Sequence, residues 1–214
     1  MRTATKLLLL SLAIVFTACQ KEVDYATGNN TGNTGGTGGT GNTNNIEGEY
    51  DFVGTVAHTE SLVTVSIPGQ ELKTLTVSDY ATQNNTGTMK VTADQIIYTN
   101  LGFTIDTMMN VKTYVDNVLF DDSDVPFSGT QPASSSTSPY VRNSADSITV
   151  TGTVGVASGP SNPAPTGPVG VKLSWSGDTL VLKINSSFTQ TVTENGETGI
   201  LVGSVNGTSK FKKH

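Results

Sequence analysis

The chain reads as an all-β protein, an antiparallel up-and-down meander of about ten strands. Apolar and polar residues alternate at period two through most of residues 46–214, the spacing that puts successive side chains on opposite faces of a strand. Val, Ile, Thr and Tyr are frequent there, and no apolar stripe follows the 3.6-residue period of a helix. Gly177-Asp178, Asn195-Gly196 and Asn206-Gly207 supply turn pairs; Asn-Gly best tolerates the positive φ that both central residues of a type I′ turn require. Neighbours in sequence then become neighbours in space. About ten strands suffice to close a barrel or, alternatively, to pack as a two-sheet β-sandwich.

Taken in chain order, residues 1–18 have the pattern of a secretory signal peptide: Arg2 and Lys6, the apolar run 7–16 with Ser11 inside it, and the small exit residues Thr17-Ala18. That run falls short of the about 20 residues that span a bilayer core of ~30 Å, so it is not a permanent transmembrane helix. Cys19 follows as the single cysteine, which excludes an internal disulfide framework and leaves the domain to its own core. Residues 26–45, all Gly, Asn or Thr after Ala26, form a flexible tether with an r.m.s. reach of roughly 25 Å.

The domain, residues 46–214, is of a size that one core can serve. Its first strands are expected in EYDFVGTV, LVTVSI, LKTLTV, GTMKVT, QIIYT and NVKTYVDNVLF. In SITVTGTVGV, Ile148, Val150, Val154 and Val156 face one side. In VGVKLSWS, Val169, Val171, Leu173 and Trp175 face inward while Lys172 and Ser174 face out. Gly177-Asp178 turns into TLVLKIN, which continues in phase through Phe188 and Val192 as one bent strand or two joined at residues 185–187. Asn195-Gly196 and Asn206-Gly207 are expected to close hairpins, the last ending in TSKFKK. The stretches PFSGTQPASSSTSPYVRN and ASGPSNPAPTGP are expected as long loops at opposite ends of the domain.

Charge narrows the function classes. The formal charge of −6 becomes −8 once the two cations Arg2 and Lys6 leave with the signal peptide, a poor match for nucleic acid. His58 and His214 are the only histidines, and no nucleophile elbow, zinc-helix motif or cysteine cluster accompanies them. His58 with Glu60 reads as an exposed turn, so no catalytic residue is assigned and the chain is read as a non-enzyme. Asp121, Asp122 and Asp124 lack the glycine and distal glutamate of a calcium loop and read as a polar turn. Met108 and Met109 read as packing residues rather than copper ligands, so no metal and no cofactor is expected. Tyr140 is the exposed loop aromatic on which a sugar ring would stack, and Trp175 belongs to the core.

Four resemblances extend this. FTAC is similar to a bacterial lipobox, with Phe16 where an aliphatic residue is usual, and implies that Cys19 is acylated and becomes the mature N-terminus. Gln20, Lys21 and Glu22, with Val23 before Asp24, resemble the lysine-plus-acid signal of Bacteroidota surface lipoproteins. Residues 19–25 would then form the lipidated and sorting segment. Two or three acyl chains hold a protein stably on a bilayer, at roughly 0.8 kcal/mol per buried CH₂. Asp106-Thr107-Met108, Asp146-Ser147-Ile148 and Asp178-Thr179-Leu180 resemble the O-glycosylation acceptors of the same group. The opening IEGEYDFVG is similar to that of lipocalin-like domains, with Tyr50 where their tryptophan stands. It implies a lipocalin-like barrel, and with the lipobox and sorting segment an outer-membrane lipoprotein that faces the cell surface; the chain is read as a monomer. Such a barrel binds a small apolar or amphipathic ligand or acts structurally; the alternative is an adhesin or glycan-binding sandwich.

Overall fold

A computed structural model describes residues 45–152, 154, 167–194 and 197–214. Cys19, the Gln20, Lys21 and Glu22 segment, the signal peptide, nearly all of the tether, Asn195-Gly196 and most of ASGPSNPAPTGP lie outside the described residues.

Eight strands run in order among the described residues: β1 (Gly48–Ile67), β2 (Gln70–Val91), β3 (Gln95–Val115), β4 (Val118–Ser144), β5 (Ser147–Thr151), β6 (Pro168–Ser176), β7 (Thr179–Glu194) and β8 (Glu197–Lys213). Each pairs antiparallel with the next, and β8 pairs with β1 to close a barrel. The meander is as expected; two separate packed sheets are not formed. Both ends of the domain, Gly48 and Lys213, lie at one end of the barrel with the β2–β3, β4–β5 and β6–β7 turns. The β1–β2, β3–β4 and β7–β8 connections lie at the other, distal end.

The expected ten strands become eight because segments that read as separate are continuous. β1 to β4 run for 20, 22, 21 and 27 residues, against about 5–6 for an ordinary strand. Each of the four carries an irregularity at the same height. Register shifts occur at Phe52/Gly54 in β1, across residues 83–88 in β2, across 98–103 in β3 and across 131–136 in β4. At that level the inward phase changes parity. Tyr50 and Phe52 give way to Thr55 and Ala57, Met89 and Val91 to Tyr80 and Thr82, and Ile96 and Tyr98 to Phe103 and Ile105. A single extra residue would otherwise turn every later side chain to the wrong face; matched bulges keep the inward face inward on both sides. β7 and β8 have no such break.

Local chemistry explains the irregularities. Asn84 and Asn100 hold φ of 50° and 52°, a left-handed conformation that Asn tolerates better than most residues. Gly87 has φ of 99°, and a Cβ there would sit 2.5 Å from the Asn100 carbonyl oxygen.

Four further expectations are corrected. The stretch 126–143 is not a loop but the body of β4. From Val118 to Pro139, β4 has only β3 beside it among the described residues, and an edge strand tolerates the missing N–H of Pro126 and Pro132. Asn206-Gly207 is not a turn: Gly207 sits inside β8 opposite Ala57 and Ile184, where a small inward residue is needed. The missed hairpin lies within NVKTYVDNVLF, where Asp116 and Asn117 take φ of 50° and 65° as the two central residues between β3 and β4. In the stretch 147–156 the described strand ends at Thr151, with Gly152 turning away at φ 110°; residues 153, 155 and 156 lie outside the described residues. TLVLKIN, by contrast, continues as one strand through Glu194, and Gly177-Asp178 turns as expected.

The core fills the barrel near the chain ends. Tyr50, Phe52, Tyr98, Ile148, Val150, Val171, Leu180 and Phe211 are all buried there. Phe211 lies 5.3 Å from Phe52 and 6.1 Å from Tyr98 between ring centroids, pairs worth about 0.5–1.5 kcal/mol each beyond area burial. Trp175 joins as expected, 6.2 Å from Tyr50.

Gly87→Ala should destabilise the domain by about 2–4 kcal/mol, combining a positive-φ penalty with a backbone clash. Denaturant unfolding measures this, and a loss within experimental error would contradict the account of the bulge.

Candidate functional site

Above the aromatic core the barrel interior changes character. The inward residues of β1 become small and hydroxylated: Thr55, Ala57, Thr59 and Ser61 are all buried, as are Ser78 and Thr82 on β2 and Ser209 on β8. Part of this belt is internally satisfied. Thr55 and Ser209 share a hydroxyl hydrogen bond of 2.7 Å, and the Thr55 N–H donates to Thr82 Oγ1 at 2.8 Å. Thr59 and Ser78 are direct partners across β1 and β2, 0 % and 1 % exposed, and neither hydroxyl has a hydrogen-bond partner.

Strand register places four inward tiers in and beyond this belt. The first runs Ser186, Val205, Thr59, Ser78, Met109 and Val125 across β7, β8, β1, β2, β3 and β4. The second pairs Phe188, Gly203, Ser61, Thr76, Val111 and Ser123 in the same order; the third reaches from Gln190 through Leu201 and Val63 to Asp121, and the fourth carries Val192, Val65, Leu72 and Val115. On β8 the inward residues Gly199 to Val205 are buried, whereas Val63, Val65, Leu72, Val111, Val125 and Phe188 are only half-buried.

The cause is topological. β6 pairs with β7 no farther than Ile184 and β5 with β4 only from Tyr140, so among the described residues the distal half is a six-stranded cradle whose edges are β4 and β7. Phe127 leans from β4 onto the core, its ring over Gly129.

The residues singled out from the sequence fall elsewhere. His58 is on β1 rather than in a turn and faces outward, with Nδ1 2.9 Å from Asp79 Oδ1 and Nε2 3.2 Å from Glu60 Oε1. The hydrogen bond to Asp79, then that to Glu60, raises its pKa above the ordinary 6.5. Asp121, Asp122 and Asp124 lie on β4, not in a turn, and alternate across it. Asn110 Nδ2 donates to Asp122 and Asp124 at 2.9 and 3.0 Å, while Asp121 takes the Ser123 hydroxyl at 2.9 Å on the inner face. Among the described residues no group of three or more His, Cys, Asp or Glu is placed to hold a metal ion.

Tyr140 is corrected from exposed to buried, at 8 % exposure, with its hydroxyl donating to the Thr92 carbonyl at 2.8 Å. It offers no open face to a sugar. Among the described residues the exposed aromatic is instead Phe120, 65 % exposed beside Val118 and Leu119 at the distal rim. Met108 is also corrected: it lies on the outer face and is 53 % exposed, because the inward phase of β3 at this height belongs to Thr107 and Met109. Of the three acceptor-like triplets, Thr107 has its hydroxyl committed to the Asp79 carbonyl at 2.6 Å. Ser147 shares a hydrogen bond with Ser144 at 2.8 Å, and Thr179 donates to Asp178 at 3.3 Å.

The Thr59 and Ser78 pair was missed because HTE read as a turn. The visible signal was the run of small inward residues at positions 55, 57, 59 and 61. No family model matches the chain, and neither a curated protein nor a solved structure does.

A raised histidine pKa in the folded state contributes stability that is fully present below about 6.5 and is lost as pH rises through the higher native value. His58→Gln should therefore cost roughly 0.5 kcal/mol at about pH 5, the scale of an exposed ion pair, and nothing at about pH 9. Unfolding at both pH values checks this; an equal cost at both would contradict it.

Proposed function

We propose that the domain is a non-enzymatic binding module that takes a small apolar or amphipathic ligand into the distal half of its barrel, and that an acylated Cys19 anchors it to a membrane. The observation that supports the ligand reading is the contrast between the two halves of one interior. Near the chain ends the inward side chains other than Trp175 are buried against one another; in the distal half Val63, Val65, Leu72, Val111, Val125 and Phe188 face inward yet stay partly exposed. Burying such side chains is worth roughly 25 cal/mol per Å², and a ligand supplies the missing surface. Barrel mouths are common sites for such binding.

The anchor reading rests on the sequence around Cys19 and agrees with the strand order. Gly48 and Lys213 share the near end, so a tether leaving Asn45 attaches opposite the distal cradle. That arrangement points the cradle away from the bilayer, as a module exposed on the outer membrane at the cell surface requires.

The neutral probe N-phenyl-1-naphthylamine should brighten on mixing with the purified domain. Val111→Asp should weaken that uptake by about tenfold or more, because a carboxylate there has no counter-charge. No brightening, or equal brightening with the variant, would overturn the ligand reading. Intact-mass spectrometry tests the anchor: the mature protein should carry two or three acyl chains, and a Cys19→Ser variant that keeps its acyl mass would refute it.

A further inference from the structure

We infer that the Thr59 and Ser78 hydroxyls form the polar floor of the distal cradle and select a ligand with an uncharged hydrogen-bonding end, a hydroxyl or carbonyl, over one ending in a carboxylate. The inference rests on the ligand reading above and names the class of ligand that site would take.

A buried hydroxyl without a partner is rare in a folded protein, since leaving it unpaired costs about 1–3 kcal/mol. Here two such hydroxyls are direct cross-strand neighbours, both aimed into the barrel at the level where the filled core ends. Their neighbours in the same tier, Val205 and Met109, offer no good hydrogen-bonding group. The next tier toward the core holds Ala57, Tyr80 and Gly207, and the polar residues one tier beyond it are occupied, Thr55 with Ser209 and Thr82 with the Thr55 N–H. The pair is therefore the part of the belt left for something other than the protein.

Charge defines what that is. In the four tiers from Thr59 outward, Asp121 is the one ionised side chain among the described residues, and it lies on the inner face of β4, near the rim. The lysines of this half, Lys73 and Lys112, occupy the opposite strand phase and pair on the outside with Glu71 and Asp122. A carboxylate carried to the floor would meet no cation, and an ion buried without one is strongly disfavoured. A hydroxyl or carbonyl needs only the hydrogen bonds that Thr59 and Ser78 have free, each hydroxyl being both donor and acceptor. The apolar remainder then lies against Val63, Val111, Val125 and Leu201.

The test is displacement of N-phenyl-1-naphthylamine by 1-dodecanol and by dodecanoate, with wild type, Ser78→Ala and the Thr59→Val/Ser78→Ala pair. Dodecanol should displace at lower concentration than dodecanoate. The double variant should weaken dodecanol by about tenfold, leave the naphthylamine within about twofold, and unfold at the same temperature or higher, since no internal hydrogen bond is lost. Ser78→Ala alone should show part of the same loss and keeps the test readable if the double variant folds poorly. Equal affinity for dodecanol and dodecanoate, or an unchanged dodecanol affinity in the variants, would overturn the inference while leaving the ligand reading intact. Absence of any naphthylamine uptake by wild type would overturn both.

Discussion

The constraint on which the structure depends is the phase of side-chain alternation along four unusually long strands. A strand of more than twenty residues that twists and curves with its neighbours cannot hold one regular phase from end to end without carrying apolar side chains out of the core. β1 to β4 meet this by slipping together, at Val53-Gly54, the Asn84 to Gly87 stretch, Asn100 and the 131–135 stretch. Because the slips share one height, they act as a seam across half the barrel. β7 and β8, which lack them, run straight past it.

The seam separates two interiors with different composition. On the near side the inward positions carry Tyr50, Phe52, Tyr98 and Phe211, whose rings pack against one another. Beyond it β1 carries Thr55, Ala57, Thr59 and Ser61 inward and β8 carries Gly207 and Gly203, while Tyr80, Phe103 and Ile105 fill the level just past the seam. Among the described residues six strands continue that far, β5 and β6 stopping short. Fewer walls and smaller side chains produce a cradle with a buried floor and half-exposed sides. The proposed ligand class follows from these two features together with the hydroxyl pair at the floor.

The fold class was legible because period-two alternation survives wherever a strand is regular. Leu173, Trp175, Leu180 and Ile184 take the inward places their phase assigns. The alternation could not reveal that Gly54, Asn84 and Asn100 are bulges within strands, since the residues that permit a bulge are those that permit a turn. The same ambiguity put a turn at Asn206-Gly207, where the glycine answers to packing against Ala57, and hid the real one at Asp116-Asn117. Proline marked residues 126–143 as loop because a single sequence does not show which strand is an edge. The site was less legible still: Thr59 and Ser78 gain meaning only from pairing across β1 and β2, and two isolated hydroxyls carry no motif. The anchor proposed at Cys19 rests on the sequence alone, because its signal is chemical and local.

The central claim is that one barrel holds a filled half and a half whose inward face is open to small molecules. Thiol labelling tests it directly, with single cysteines placed by Val111→Cys and Val150→Cys in a Cys19→Ser background and a small neutral maleimide under native conditions. The account predicts labelling at position 111 at least about a hundredfold faster than at position 150, where reaction waits on unfolding. Equal protection at the two positions would contradict it.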